Sequence, residues 1–214
     1  HDIGEELGLQ KADCSGRQAA WVDYNGDNRL DIYVACGKTS EYQANKLYEQ
    51  LPNGNFIDVA AKTGLDITPE ISFVWVDADN DGDQDIYVCR FVYLENEKSA
   101  NRLYINNGDL TFTEQAGAFG IDDRGFSTQA VFCDFDKDNL IDVYVVNQPP
   151  SIPGRQGQIS QAELSDILFS DRFYKNMGNG RFVDHTREAN IRNFGFGLSA
   201  VVGDFNNDAW QDLY

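Results

Sequence analysis

Apolar and polar positions alternate in short runs along this chain, and the same acidic interval interrupts the runs four times. Ala19-Ala20-Trp21-Val22 and the six apolar or small residues from Ile71 to Val76 each enter such an interval, and Ile32-Tyr33-Val34 and Ile86-Tyr87-Val88 each leave one. Runs this short, rich in β-branched and aromatic residues and bounded by Asp, Asn and Gly, predict strands joined by a loop. A third run follows as Asn45-Lys46-Leu47-Tyr48, Asn101-Arg102-Leu103-Tyr104 and Asp171-Arg172-Phe173-Tyr174. A turn comes next at Asn53-Gly54, Asn107-Gly108 or Asn179-Gly180, and then Phe56, Phe112 or Phe182 leads a fourth run. That Phe always lies nine residues after the Leu or Phe of the third run.

The order repeats at nearly constant period. Asp2 to Leu9 aligns without gaps to Asp58 to Leu65 at an offset of 56, a second step of 56 reaches Glu114 to Ile121, and a step of 70 reaches Asp184 to Ile191. Four short strands per repeat predict the blades of an all-β β-propeller. The divisions are residues 1–9 (the tail of a preceding blade), 10–65, 66–121, 122–191 with an insertion at 147–170, and 192–214 (a truncated blade). A chain that starts and stops inside repeats reads as an excerpt of a larger propeller.

The insertion is visible in the spacing, because Asp142 to Asp171 spans 29 residues where Asp31 to Asn45 spans 14 and Asp85 to Asn101 spans 16. Pro149, Pro150 and Pro153 end the strand, and Ser160 with Glu163 three residues on forms a capping box that starts a helix running to Phe169. Both a site of specific contacts and a neutral surface elaboration fit it. Trp21, Trp75 and Phe132 stand two residues before the acidic intervals, and Tyr33, Tyr87, Tyr144 and Tyr214 stand two after. Stacking on carbohydrate is one use for such rings. Blades are covered on both faces by their neighbours, so the core is the expected place for them.

The acidic intervals carry the candidate chemistry. They are Asp23 to Asp31, Asp77 to Asp85, Asp134 to Asp142 and Asp204 to Asp212. Positions 1, 5 and 9 are Asp in every copy: Asp23, Asp27 and Asp31; Asp77, Asp81 and Asp85; Asp134, Asp138 and Asp142; Asp204, Asp208 and Asp212. Position 3 is Asn25, Asp79, Asp136 or Asn206, and position 7 is Arg29, Asp83, Leu140 or Trp210. Oxygen ligands at alternate positions, with a Gly where the chain turns sharply, suit a hard cation of calcium size. Indifference to the side chain at position 7 is what a backbone carbonyl ligand predicts. The expected cofactor is Ca2+, up to four ions, one per loop. A solvated acidic turn would explain one copy but not four in one register. An EF-hand needs a bidentate Glu at position 12 between helices, and that position is Val34, Val88 or Val145 inside β-branched runs. Loops two and three, with more carboxylates and with Gly82 or Asn139 at position 6, are expected to bind more tightly than loops one and four, where Asn25 and Asn206 lower the charge and Ala209 replaces Gly or Asn.

Composition fits this picture. The 214 residues are 42% hydrophobic and 13% aromatic, which suits a packed core. Of the 35 acidic residues 15 lie in the four loops, and four divalent ions would take the net charge of −18 to about −10. That balance disfavours nucleic acid and anionic membranes, and no apolar run is long enough to span a bilayer. Cys14, Cys36, Cys89 and Cys133 form no C-x-x-C pattern, and with only His1 and His185 zinc is not expected. Disulfides and buried free thiols both fit these cysteines. Weak calcium loops are useful where calcium is millimolar, which points outside the cell.

The blade pattern D-x-D/N-x-D-x-x-x-D-I/L-Y-V, then N-x-L-Y, N-G-x-F and a closing A-x-x-x-G-L, resembles the FG-GAP/VCBS repeat family, in the UnbV/ASPIC-associated and cartilage acidic protein-like form. Integrin α-subunit heads carry related calcium loops. The resemblance implies a β-propeller, calcium in the first hairpin of each blade, and an extracellular or cell-surface setting. The expected function is a secreted, non-catalytic adhesion, assembly or ligand-binding module with structural calcium. Its expected partners are a protein or carbohydrate ligand at the cell surface, or further copies of itself, without nucleic acid or membrane insertion. Two alternatives stand beside it, a filament subunit and a carbohydrate-active enzyme of polysaccharide lyase type. The enzyme would need a basic or nucleophilic cluster outside the loops, and Arg90, Arg124, Arg155, Arg172 and His185 are scattered with no pairing in the sequence.

Overall fold

The computed structural model describes residues 4–9, 16–37, 43–67, 72–91, 100–149 and 169–214. The first blade is a four-stranded antiparallel sheet, β1 (Gly16–Val22), β2 (Asp31–Cys36), β3 (Lys46–Gln50) and β4 (Phe56–Asp58), in spatial order β1-β2-β3-β4. The second is β5 (Ser72–Val76), β6 (Asp85–Cys89), β7 (Arg102–Asn106) and β8 (Phe112–Glu114), in the same order. The third is β9 (Ser127–Cys133), β10 (Asp142–Asn147), β11 (Arg172–Asn176) and β12 (Phe182–Asp184), and β13 (Val202–Gly203) with β14 (Asp212–Leu213) forms the first hairpin of a fourth. The chain is therefore all-β, built of propeller blades. The insertion helix expected from Ser160 falls almost wholly outside the described residues.

One register governs every blade. The residue before each loop pairs with its ninth residue: Val22 with Asp31, Val76 with Asp85, Cys133 with Asp142, and Gly203 with Asp212. Tyr48, Tyr104 and Tyr174 face Ile32, Ile86 and Val143 on the next ladder, and Phe56, Phe112 and Phe182 face Gln50, Asn106 and Asn176 on the last. Because side chains alternate across a strand, each blade offers two apolar faces. In β6, Tyr87 and Cys89 join the core shared with blade three, and Ile86 and Val88 join the core shared with blade one. All of β6 is buried, and burying a side chain such as Ile86 or Val88 contributes ~1.5–3 kcal/mol. Ring pairs mark the joints: Tyr33 packs edge-on to Phe73 at 4.8 Å and to Trp75 at 5.7 Å, and Tyr87 to Phe132 at 5.5 Å. The inner strands are also stitched by hydrogen bonds. Gln18 exchanges both amide bonds with Phe73 of the next blade, each at 2.9 Å, and Gln129 in the same register accepts from the Ala200 amide at 2.8 Å.

The buried tyrosines have a polar duty as well. Asn101 Oδ1 accepts from the Arg90 amide at 2.9 Å, and its Nδ2 donates to the Tyr87 hydroxyl at 3.1 Å, which donates to the Ile121 carbonyl at 2.9 Å. Asn45 and Tyr33 repeat this in blade one, whereas in blade three Asp171 accepts both bonds, from the Asn147 amide at 2.8 Å and from the Tyr144 hydroxyl at 2.7 Å. Tyr33, Tyr87 and Tyr144 are therefore core residues, whereas Trp21 is 61% exposed because no earlier sheet covers it among the described residues. The closing motif adds two helices of one turn, α1 (Ala60–Thr63) and α2 (Ala116–Phe119), capped by Gly64 and Gly120 in the left-handed region. A Cβ on Gly120 would lie 2.8 Å from the Phe182 carbonyl of the following blade, so this turn admits only glycine at that contact. Cys36 is disulfide-bonded, and Cys89 and Cys133 are free thiols.

Candidate metal centre

Each acidic interval is a nine-residue loop between the first two strands of its blade, folded in one way. The carboxylate at position 1 accepts the amides of positions 5 and 6, at 3.0 to 3.1 Å and 2.9 to 3.0 Å across the four copies. The carboxylate at position 5 accepts the amide of position 7, at 2.8 to 2.9 Å. Asp suits this role because its short side chain reaches its own backbone a few residues on. Positions 4 and 6 are both left-handed in every loop: Gly26 and Asn28, Asn80 and Gly82, Lys137 and Asn139, Asn207 and Ala209. Gly and Asn adopt that region at little cost. Lys137 and Ala209 hold it with ordinary side chains, at φ 63° and 68°.

Position 9 anchors the loop to the sheet. Asp31, Asp85 and Asp142 are 0 to 1% exposed, and each Oδ1 accepts at 2.8 Å an amide of the third strand, from Gln50, Asn106 or Asn176. Asp85 Oδ2 accepts the Ala78 amide at 2.9 Å, and Asp212 the Phe205 amide at 3.0 Å. Burial pushes the carboxyl of Asp85 up to about 7 and those of Asp31 and Asp142 up to about 6, against the pull of these amides. Asp79 is raised too, first by burial and then by the charge of Asp81. Taking a carboxylate out of water beside others of its sign favours the proton, or any cation that can take its place.

The structure brings some of the sequence-selected side chains together and leaves others apart. Oxygens of Asp77, Asp79 and Asp85 lie within 4.8 Å of one another in loop two, as do those of Asp134, Asp136 and Asp138 in loop three. Asp79 Oδ1 and Asp142 Oδ2 are buried without a hydrogen-bond partner. Loops one and four, with Asn25 and Asn206 at position 3, form no such carboxylate trio among the described residues, and both asparagines instead donate to the Asp at position 5, at 3.1 and 3.0 Å. Asp81 and Asp83 are exposed in loop two, and Asp204, Asp208 and Trp210 are exposed in loop four. Arg29 and Leu140 enter their loops through the backbone amide, as Asp83 and Trp210 do.

Two cations near the loops escape a reading of the sequence. Arg29 pairs its guanidinium with Asp27 and donates Nε to the Gln50 carbonyl at 2.8 Å. Lys175, on β11, pairs with Asp136 and holds that carboxyl below its usual range. The loops also touch neighbouring blades. Asn106 of blade two donates to the Tyr24 carbonyl of loop one at 2.9 Å, and Lys137 of loop three lies 4.1 Å over the Trp210 ring of loop four. No helix among the described residues is long and apolar enough to cross a membrane.

The model of the FG-GAP-like repeat matches residues 19–88 and 91–145, more than half of the chain. Cartilage acidic protein 1 of Homo sapiens is 27% identical over 166 residues, which cover 68% of this chain and 23% of that protein. The Mus musculus protein of the same name is 26% identical over 151 residues, covering 62% and 21%. The chain thus spans less than a quarter of the length of these curated relatives. A solved structure of an Agrocybe aegerita lectin, described as specifically recognising non-reducing terminal N-acetylglucosamine, has 17% identity and a TM-score of 0.49, covering 99% of this chain and 48% of its own.

Proposed function

We propose that this chain, which belongs to the FG-GAP-like repeat family, is a calcium-stabilised, non-catalytic propeller module that presents its blades to a ligand outside the cell. One observation carries the metal reading: three carboxylates of loop two converge within 4.8 Å, and one of their oxygens, Asp79 Oδ1, is buried with no hydrogen-bond donor. A buried carboxylate oxygen without a partner is costly, and a hard cation taking oxygen ligands relieves it. The side chains at positions 1, 3, 5 and 9 and the carbonyl at position 7 would hold the ion. When bound, the ion supplies charge neutralisation and a rigid crosslink between the two strands of the hairpin. The extracellular setting is supported by the disulfide at Cys36 and by the match to cartilage acidic protein 1.

Chelation tests this reading. A ligand that binds only the folded state stabilises it by ~2.7 kcal/mol at a hundredfold excess over its Kd, and ~1 kcal/mol moves the melting temperature of a domain this size by roughly 2–4 °C. Melting in excess chelator should fall by roughly 5–10 °C for each such site emptied. An unchanged melting curve would overturn the proposal.

A further inference from the structure

The three third strands stand in one register beside the loops of the three four-stranded blades. Glu49, Ile105 and Lys175 each lie between the paired tyrosine and the residue whose amide anchors position 9, so they are equivalent. Their chemistry differs threefold. Glu49 accepts the Tyr24 hydroxyl at 3.0 Å, and Ile105 is 6% exposed in the apolar core. Lys175 turns back to its loop, where Nζ pairs with Asp136 and lies 3.4 Å from Asp138 Oδ2. Those are two of the three carboxylates that converge in loop three. No lysine or arginine ion pair reaches loop two among the described residues.

We propose, resting on the reading of the loops as calcium sites, that Lys175 is the internal counter-cation of loop three, so that calcium enters this loop only by displacing the ammonium from Asp136 and Asp138. An ammonium and a divalent ion cannot share the same carboxylate oxygens, and a lysine stem is flexible enough to swing clear. Loop three therefore fills at higher calcium than loop two, and it stays neutralised when calcium is low. Positions 1, 3, 5 and 9 are all Asp in both of these loops, so the carboxylates at those positions alone rank them together. The residue at the Ile105/Lys175 position separates them, making one loop a standing structural site and the other responsive to calcium concentration.

Calorimetric titration of the full chain with calcium chloride, in the wild type and in Lys175→Gln and Lys175→Arg, tests this. The side chain of Lys175 is 26% exposed at the sheet surface, and circular dichroism verifies that each variant is folded. Lys175→Gln should tighten a weaker binding phase about tenfold and leave the tightest phase unchanged, while Lys175→Arg keeps the wild-type profile. The tightest phase should disappear in Asp79→Asn, which assigns it to loop two. Melting of Lys175→Gln in chelator should also fall below wild type, because loop three then has neither cation. If Lys175→Gln binds calcium with every affinity of the wild type, the lysine does not compete and the proposal fails while the calcium reading stands. If the wild type takes up no calcium, the calcium reading itself fails.

Discussion

Asp85→Ala is the substitution on which the structure speaks most quantitatively. Asp85 is 0% exposed, with Oδ2 on the Ala78 amide at 2.9 Å and Oδ1 on the Asn106 amide at 2.8 Å. Alanine leaves both amides without an acceptor, and each unsatisfied buried donor costs ~1–3 kcal/mol. Against this stands the burial of the charge, which has already raised the carboxyl to about 7, so that the wild-type residue is itself under strain when ionised without a cation. The expected net loss is ~2–4 kcal/mol in chelator and more in calcium, where a charged ligand is lost as well. Asp83→Ala is the control. Its side chain is exposed, and its amide bond to Asp81 at 2.9 Å survives the change, so it should stay within ~0.5 kcal/mol of wild type. Urea unfolding followed by tryptophan fluorescence, with and without calcium, measures both. Equal losses for the two variants would refute the assignment of position 9 as the anchor and position 7 as a backbone contact.

Three further outcomes follow from the same geometry. With folded-state carboxyls of about 7 at Asp85 and about 6 at Asp31 and Asp142, against ~3.9 when unfolded, the folded chain binds protons more readily; in chelator the urea midpoint should rise as pH falls from 8 to 5, whereas in calcium it should fall as protons compete with the ion, and slopes of one sign in both buffers would contradict this. Ala209→Gly relieves a left-handed alanine at φ 68° and should stabilise by ~0.5–1 kcal/mol after the entropy of glycine is counted, read as a higher urea midpoint. Tyr87→Phe removes the hydroxyl that bridges Asn101 and the Ile121 carbonyl in a fully buried site and should destabilise by ~1–3 kcal/mol, visible as a lower melting temperature with calcium binding intact.

Much of the fold was legible because the repeat is written in residue types that the geometry restricts. Asp at positions 1, 5 and 9 is needed by backbone amides in every copy, and Gly64 and Gly120 are needed by left-handed caps, so both recur at constant spacing. The second left-handed residue, at position 4, left a weaker trace: Gly26, Asn80 and Asn207 signal it, but Lys137 hides it. Trp21 was expected in the core with Trp75 because the two share a register, yet only Trp75 meets a tyrosine of an earlier blade, and local pattern carries no record of which neighbour is present. Lys175 was invisible for a different reason. It is brought to Asp136 by the pairing of β10 with β11, across the 29 residues from Asp142 to Asp171, and nothing in the local sequence around either residue announces the other.

The claim that the loops hold calcium is tested most directly by equilibrium dialysis with atomic absorption of the retained metal. At millimolar free calcium the wild type should retain calcium, up to four ions per chain, and Asp77→Asn combined with Asp79→Asn should retain one fewer. A folded wild-type chain that retains no calcium at that concentration, or a double variant that retains as much as the wild type, would contradict it.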